Sequence, residues 1–227
     1  TGTTNPVSVT MNGNRAVTAN YTQNEYILTV NTVGSGTVTR SIPAPYHLGD
    51  VVALTPVPAA GWSFSAWSGA CTGSGACSVT MDAAKTVTAT FTQNEYILTV
   101  NTVGSGTVTR SIPAPYHLGD VVALTPVPAA GWSFSAWSGA CTGSGACSVT
   151  MDAAKTVTAT FTQSAYTLTI TSLHGTVAKS PDKATYTYGE VVQLTATPAA
   201  GWSFANWTGD ATGTTNPVSV TMNGNRA

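Results

Sequence analysis

Along Tyr26-Ile27-Leu28-Thr29-Val30-Asn31-Thr32-Val33, the residues Tyr26, Leu28 and Val30 share one parity, and Gly34-Ser35-Gly36 closes the run. Apolar residues at period two, with β-branched neighbours and a glycine stop, predict a strand and a turn. Thr37 to Ile42 reads as the return strand, stopped by Pro43 and Pro45, and Val51 to Thr55 as a third strand, ended by Pro56 and Pro58, because proline cannot donate to a ladder. Gly61 to Trp67 is a fourth strand in which Trp62 and Phe64 share a face while Trp67 has the opposite parity. Ser78 to Met81 and Thr86 to Phe91 are the fifth and sixth, with Val87, Ala89 and Phe91 pointing inward. The Asn12-Gly13-Asn14 connection of a diverged copy predicts a hairpin between those last two. No apolar period of 3.6 runs for three turns, so the unit is expected to be all-β with essentially no helix.

The pattern recurs. Residues 24–93 are followed letter for letter by 94–163, and a diverged copy, lacking its last strand, occupies 164–227. Residues 1–23 read as the C-terminal part of a repeat, since Thr212 to Ala227 repeats Thr1 to Ala16 and Val17 to Thr22 has the form of a sixth strand. These matching ends suggest either an excerpt of a continuous array with a 211-residue super-repeat, or copies joined head to tail by strand addition. Arrays multiply one small unit for length or valency, which favours mechanics or adhesion over catalysis. Phe91 and Tyr96 are linked by Thr92-Gln93-Asn94-Glu95, without proline or glycine, so a semi-rigid rod is expected rather than beads on a flexible string.

Composition narrows the partners. Only 7% of residues are charged and the net charge is -1, which leaves no basic patch for phosphate contacts and argues against nucleic acid. Apolar residues reach 42%, with six tryptophans at regular places, so disorder is not expected. No apolar run approaches the roughly 18 residues that span a bilayer. The absence of an initial methionine and of a signal-like start suggests an excerpt whose signal and anchor lie elsewhere.

Cys71 and Cys77 lie within one loop with five residues between them, and the second copy supplies Cys141 and Cys147. In the third copy both positions change together, to Ala211 and Val218, as a bonded pair predicts. Two ligands per unit and no adjacent histidine do not make a zinc site, and the spacing is not that of a CxxC redox centre. Structural disulfides Cys71–Cys77 and Cys141–Cys147 are expected, stabilising by roughly 2 kcal/mol each and implying an oxidising compartment.

Other candidates are weaker. His47 and His117 sit in a turn where the third copy has Thr187, and no serine and acid join them. The scattered acids lack the alternating oxygens of a calcium loop. Neither a metal nor any other cofactor is expected. Lys85 shares the inward parity of Val87, which raises a lysine to asparagine crosslink, but Arg15 at the matching position cannot form one. Trp67, Trp137 and Trp207, beside the cysteine loop or its equivalent, are candidate ligand-facing aromatics for stacking on sugars. Asn20 and Asn206 fit the glycosylation pattern.

Tyr-x-Leu-Thr-Val, Tyr-x-x-Gly-Asp-Val-Val-x-Leu-Thr, Pro-Ala-Ala-Gly-Trp-x-Phe-x-x-Trp and Lys-Thr-Val-Thr-Ala-Thr-Phe together resemble the divergent internalin-B-type B-repeat of bacterial surface and secreted proteins. The resemblance covers almost the whole chain three times. It implies small β-grasp-like or sandwich-like extracellular modules in tandem, with no catalytic activity and no catalytic residues to carry over. The expected function is a non-catalytic structural region forming a rod-like stalk or filament, its partners being neighbouring repeats or copies of itself. The alternative is a multivalent adhesin for glycan or host protein.

Overall fold

A computed structural model describes residues 2–227. Among these no helix forms, and the chain divides into two compact units, one ending at Gln93 and the other spanning Asn94–Ala227.

The first unit contains β1 (Leu28–Val33), β2 (Gly36–Arg40), β3 (Val51–Pro58), β4 (Trp62–Gly69), β5 (Cys77–Thr80) and β6 (Lys85–Gln93). They make two three-stranded sheets, β1-β6-β4 and β2-β3-β5. β6 runs parallel to β1 and antiparallel to β4, whereas the second sheet is wholly antiparallel. Inward residues of both sheets, among them Leu28, Val52, Leu54, Trp67, Val79, Val87 and Phe91, merge in one core. The module is therefore sandwich-like, with each sheet burying one face on the other.

Three sequence expectations change here. The first concerns the turn at Gly34-Ser35-Gly36, which does not fold β2 back onto β1 but carries the chain to the opposite sheet. Gly34 has φ 82°, and a Cβ there would lie 2.3 Å from the Phe91 carbonyl oxygen, so the crossing hugs β6. The hairpin expected between the fifth and sixth strands is likewise a crossing: β5 pairs with β3, and β6 with β1 and β4. Only β2 and β3 are consecutive strands of one sheet.

The second concerns β3, which runs through Pro56 and Pro58 instead of stopping at them. Ala53 bonds Ser41 on the β2 side, so by the alternation of an antiparallel ladder Pro56 and Pro58 turn to the other side. There β5 reaches only as far as Leu54, and the missing N–H groups forfeit no partner.

The third concerns β4, whose register against β6 slips between Phe64 and Ala66. Ser65 is the extra residue of a bulge, and it reverses the parity of everything after it.

The second unit repeats this architecture with β7 (Leu98–Val103), β8 (Gly106–Arg110), β9 (Val121–Pro128), β10 (Trp132–Gly139), β11 (Cys147–Thr150) and β12 (Lys155–Gln163). Its sheets are β7-β12-β10 and β8-β9-β11, around an equivalent core. The diverged copy adds β13 (Gly175–Ser180), β14 (Glu190–Pro198) and β15 (Val218–Met222), one antiparallel sheet matching β2-β3-β5. The counterpart of the other sheet is not formed there. Residues 17–22, expected as the sixth strand of a partial repeat, also form no strand and are exposed. In each complete repeat that strand leans on the first and fourth strands, and residues 2–23 contain neither.

Candidate functional site

The residues with most chemistry to offer gather around the cysteine loop. Trp67 ends the inward row of β4 because of the Ser65 bulge, and its ring lies 4.9 Å from that of Phe64. It is 3% exposed, as is Trp137. The expectation that these two tryptophans face a ligand is therefore corrected: opposite parity would have held for a regular strand, but the bulge returns them to the core. The loop folds over the indole, with Trp67 N donating to Gly73 O at 2.7 Å and Trp67 Nε1 to Gly75 O at 3.1 Å. Cys71 and Cys77 are disulfide-bonded across it, and Cys141 and Cys147 likewise. Cys77 is buried beside Leu54 on β3, so the bridge ties the loop to the opposite sheet.

In the third repeat the same loop is held without sulfur. Trp207 N donates to Gly213 O at 2.8 Å, and Trp207 Nε1 to Thr215 O at 2.9 Å. The Asn216 side chain then pairs with β14 as a strand residue would, accepting from Ala196 N at 2.9 Å and donating to Ala196 O at 2.8 Å. Ala196 stands where the complete repeats have Pro56 and Pro126, which have no N–H to give. The change from proline to alanine and the arrival of Asn216 thus form one coupled replacement for the crosslink. Asn216→Ala is expected to lower the stability of the third repeat by about 1 kcal/mol. Ala196→Pro should cost a similar amount, and the double variant little more than either, in urea melts followed by tryptophan emission.

Trp207 itself is only partly buried, and Trp202 is 55% exposed, with the His174 ring stacked on it at 3.6 Å. The face bounded by Leu168–Thr171 on one side and Trp207–Asp210 on the other is open as a groove. Arg226 and Ala227 enter its end. Leu168 bridges Arg226 in parallel, Arg226 Nη1 lies 2.7 Å from Asp210 Oδ1, and Ala227 N donates to Asp210 Oδ2 at 2.8 Å. The Ala227 amide, followed by the Arg226 guanidinium, holds the Asp210 carboxyl below its ordinary range.

The sequence of the divergent InlB B-repeat domain matches residues 26–95, 96–165 and 166–227. The chain belongs to the divergent InlB B-repeat family. No curated protein matches it. The matched boundaries fall two residues beyond the letter-for-letter period, so each B-repeat is framed from a tyrosine, which in the complete repeats stands two residues before the first strand. That tyrosine bridges a second one, Tyr26 to Tyr46 in the first repeat, and Tyr96 to Tyr116 and Tyr166 to Tyr186 in the others. Tyr46 is 1% exposed and its hydroxyl donates to Ile42 O at 3.2 Å. Tyr46 directly precedes the turn that holds His47, and the alternating pattern of the strands does not reach it. Its retention in the diverged copy, where the adjoining histidine is lost, was the available signal.

The remaining B-repeat candidates are dispersed. Among the described residues no three metal-ligating side chains gather. His47 lies in its turn with Nδ1 3.8 Å from Asp50 Oδ2. Lys85 Nζ pairs with Asp82 Oδ1 at 2.6 Å, and this contact holds the Asp82 carboxyl below its ordinary value. Asn20 and Asn206 are both exposed. B-repeats are typically non-catalytic, and membership together with the disulfides points to a structural, extracellular repeat region.

Proposed function

We propose that this chain is the non-catalytic, load-bearing part of a bacterial cell-surface or secreted protein, a stalk or filament whose length is set by the number of repeats. The observation that carries this reading is the equivalence of the first two repeats. Each closes its own core from the same positions, and each is crosslinked by its own disulfide. Units complete in themselves add length without needing a partner to fold, as in other repeat proteins. The short connectors without proline or glycine favour a stiff array. The multivalent adhesin reading receives less support, because Trp67 and Trp137, two of its three proposed aromatics, face the core, although Trp207 is only partly buried.

Small-angle scattering of the purified chain is the test. Excising residues 94–163 is expected to shorten the longest dimension and leave the cross-section unchanged. A compact particle whose cross-section shrinks in proportion to mass would overturn the stalk. Antibody against residues 24–93 should also label intact cells or the culture medium, and label confined to the cytoplasm would remove the extracellular assignment.

A further inference from the structure

We propose that Gly131 is the socket of a packed joint between the second and third repeats, which fixes the angle at which one follows the other. This joint deepens the stalk reading and rests on it, because it names the contact that stiffens successive repeats. Gly131 stands in the turn that opens β10, where Trp132 N donates to Ala129 O at 3.0 Å, and its φ of 75° suits glycine. Three contacts converge on this turn from the side of the following repeat. Ser164, the residue after β12, donates its N–H to Gly131 O at 2.8 Å, and its hydroxyl lies 3.1 Å from that of Ser133. Tyr188, in a turn of the third repeat, presses on the glycine itself: a Cβ built on Gly131 would fall 2.1 Å from Tyr188 Cβ and 2.7 Å from its Cγ.

The circuit closes within the third repeat. Tyr166 and Tyr186 form an antiparallel bridge and exchange N–H to O bonds of 2.8 Å in both directions. Extending that register two residues outward sets Ser164 opposite Tyr188, so both arms that reach Gly131 spring from one bridged pair. A joint held at one point can swivel. One held by two braced arms turns only by breaking the Ser164 bond or lifting the tyrosine off the glycine. A short connector limits the reach between repeats, whereas these contacts select a direction. The socket is glycine for a geometric reason as well. A side chain at 131 would strike Tyr188 at Cβ, which is fixed to its backbone, so no change of rotamer relieves the contact and the third repeat itself must move. Tyr188 is 45% exposed and stands outside the core of its own repeat, so the joint, not that core, accounts for its packing.

The angle can be read directly with spin labels on the 227-residue chain at Ser148→Cys and Gln193→Cys, exposed strand positions of the second and third repeats. Pulsed electron paramagnetic resonance is expected to give a single narrow distribution of distances between them. Tyr188→Ala, which empties the socket without touching either core, should lose the narrow peak while the urea unfolding of both repeats stays in place. Ser164→Pro removes the N–H of the other arm and should have the same effect, so the joint is tested twice should one variant disturb its own repeat. A broad distribution in the parent chain, or a peak that stays narrow in either folded variant, would overturn the joint. Broad parent distances beside the expected scattering result remove the joint and leave the stalk. Narrow parent distances that broaden in both variants, beside a failed scattering result, remove the stalk and leave the joint.

Discussion

Trp67→Ala is expected to cost the first repeat about 3–5 kcal/mol, enough to leave it largely unfolded, because a module of this size holds only about 4–10 kcal/mol on the usual per-residue scale. The indole is buried against Phe64 and lies under the disulfide loop. Truncation opens a cavity between the sheets and leaves the Gly75 carbonyl without its donor. Trp67→Phe separates these effects, since it keeps most of the packing and should lose about 1–2 kcal/mol. Trp137→Ala is a built-in replicate, because the same contacts recur around it with the ring centroid 4.8 Å from Phe134. Trp207→Ala should cost distinctly less, because in the third repeat the pocket around the indole is not closed. Urea unfolding followed by near-ultraviolet dichroism checks all three. A loss below about 1 kcal/mol at Trp67 would mean that the bulge does not hold it in the core.

That tryptophan also marks where the sequence ceased to be legible. Alternation located most of the six strands of a repeat to within two or three residues, because each has one buried and one solvated face. The cysteine pair was legible because its two members vanish together in the third copy. What alternation does not encode is which sheet a strand joins. Gly34-Ser35-Gly36 is compatible with a hairpin, and only the close passage of Gly34 over the Phe91 carbonyl reveals a crossing. Nor does it encode a bulge: nothing in Ser63-Phe64-Ser65-Ala66 marks Ser65 as the surplus residue, yet every later assignment of inside and outside on β4 depends on it. Pro56 was misread for a related reason. A proline is tolerated wherever its nitrogen faces an edge, and the edge begins where β5 ends, a fact of tertiary pairing.

Reduction of the protein is expected to weaken the first two repeats by roughly 2 kcal/mol each and leave the third unchanged. A closed loop of about seven residues removes this much conformational entropy from the unfolded chain. Mutation should reproduce it, and the third repeat supplies the replacement residues: Cys71→Ala with Cys77→Val copies Ala211 and Val218, and keeps an apolar side chain at the buried Cys77 position. Those two changes alone should not recover the stability of the third repeat's solution. Its loop is clamped by Asn216 against the amide of Ala196, and the first repeat has Pro56 there. Transplanting the segment 211–218 in place of 71–77 should therefore remain weak until Pro56→Ala supplies the N–H, after which about 1 kcal/mol should return. The comparison is read from urea midpoints with and without reductant, the transplanted repeat becoming insensitive to it. If the transplant were equally stable with Pro56 in place, the asparagine clamp would not be what substitutes for the disulfide. If reduction left the melts of the first two repeats unmoved, the crosslink would add nothing to a loop that Trp67 already holds from beneath.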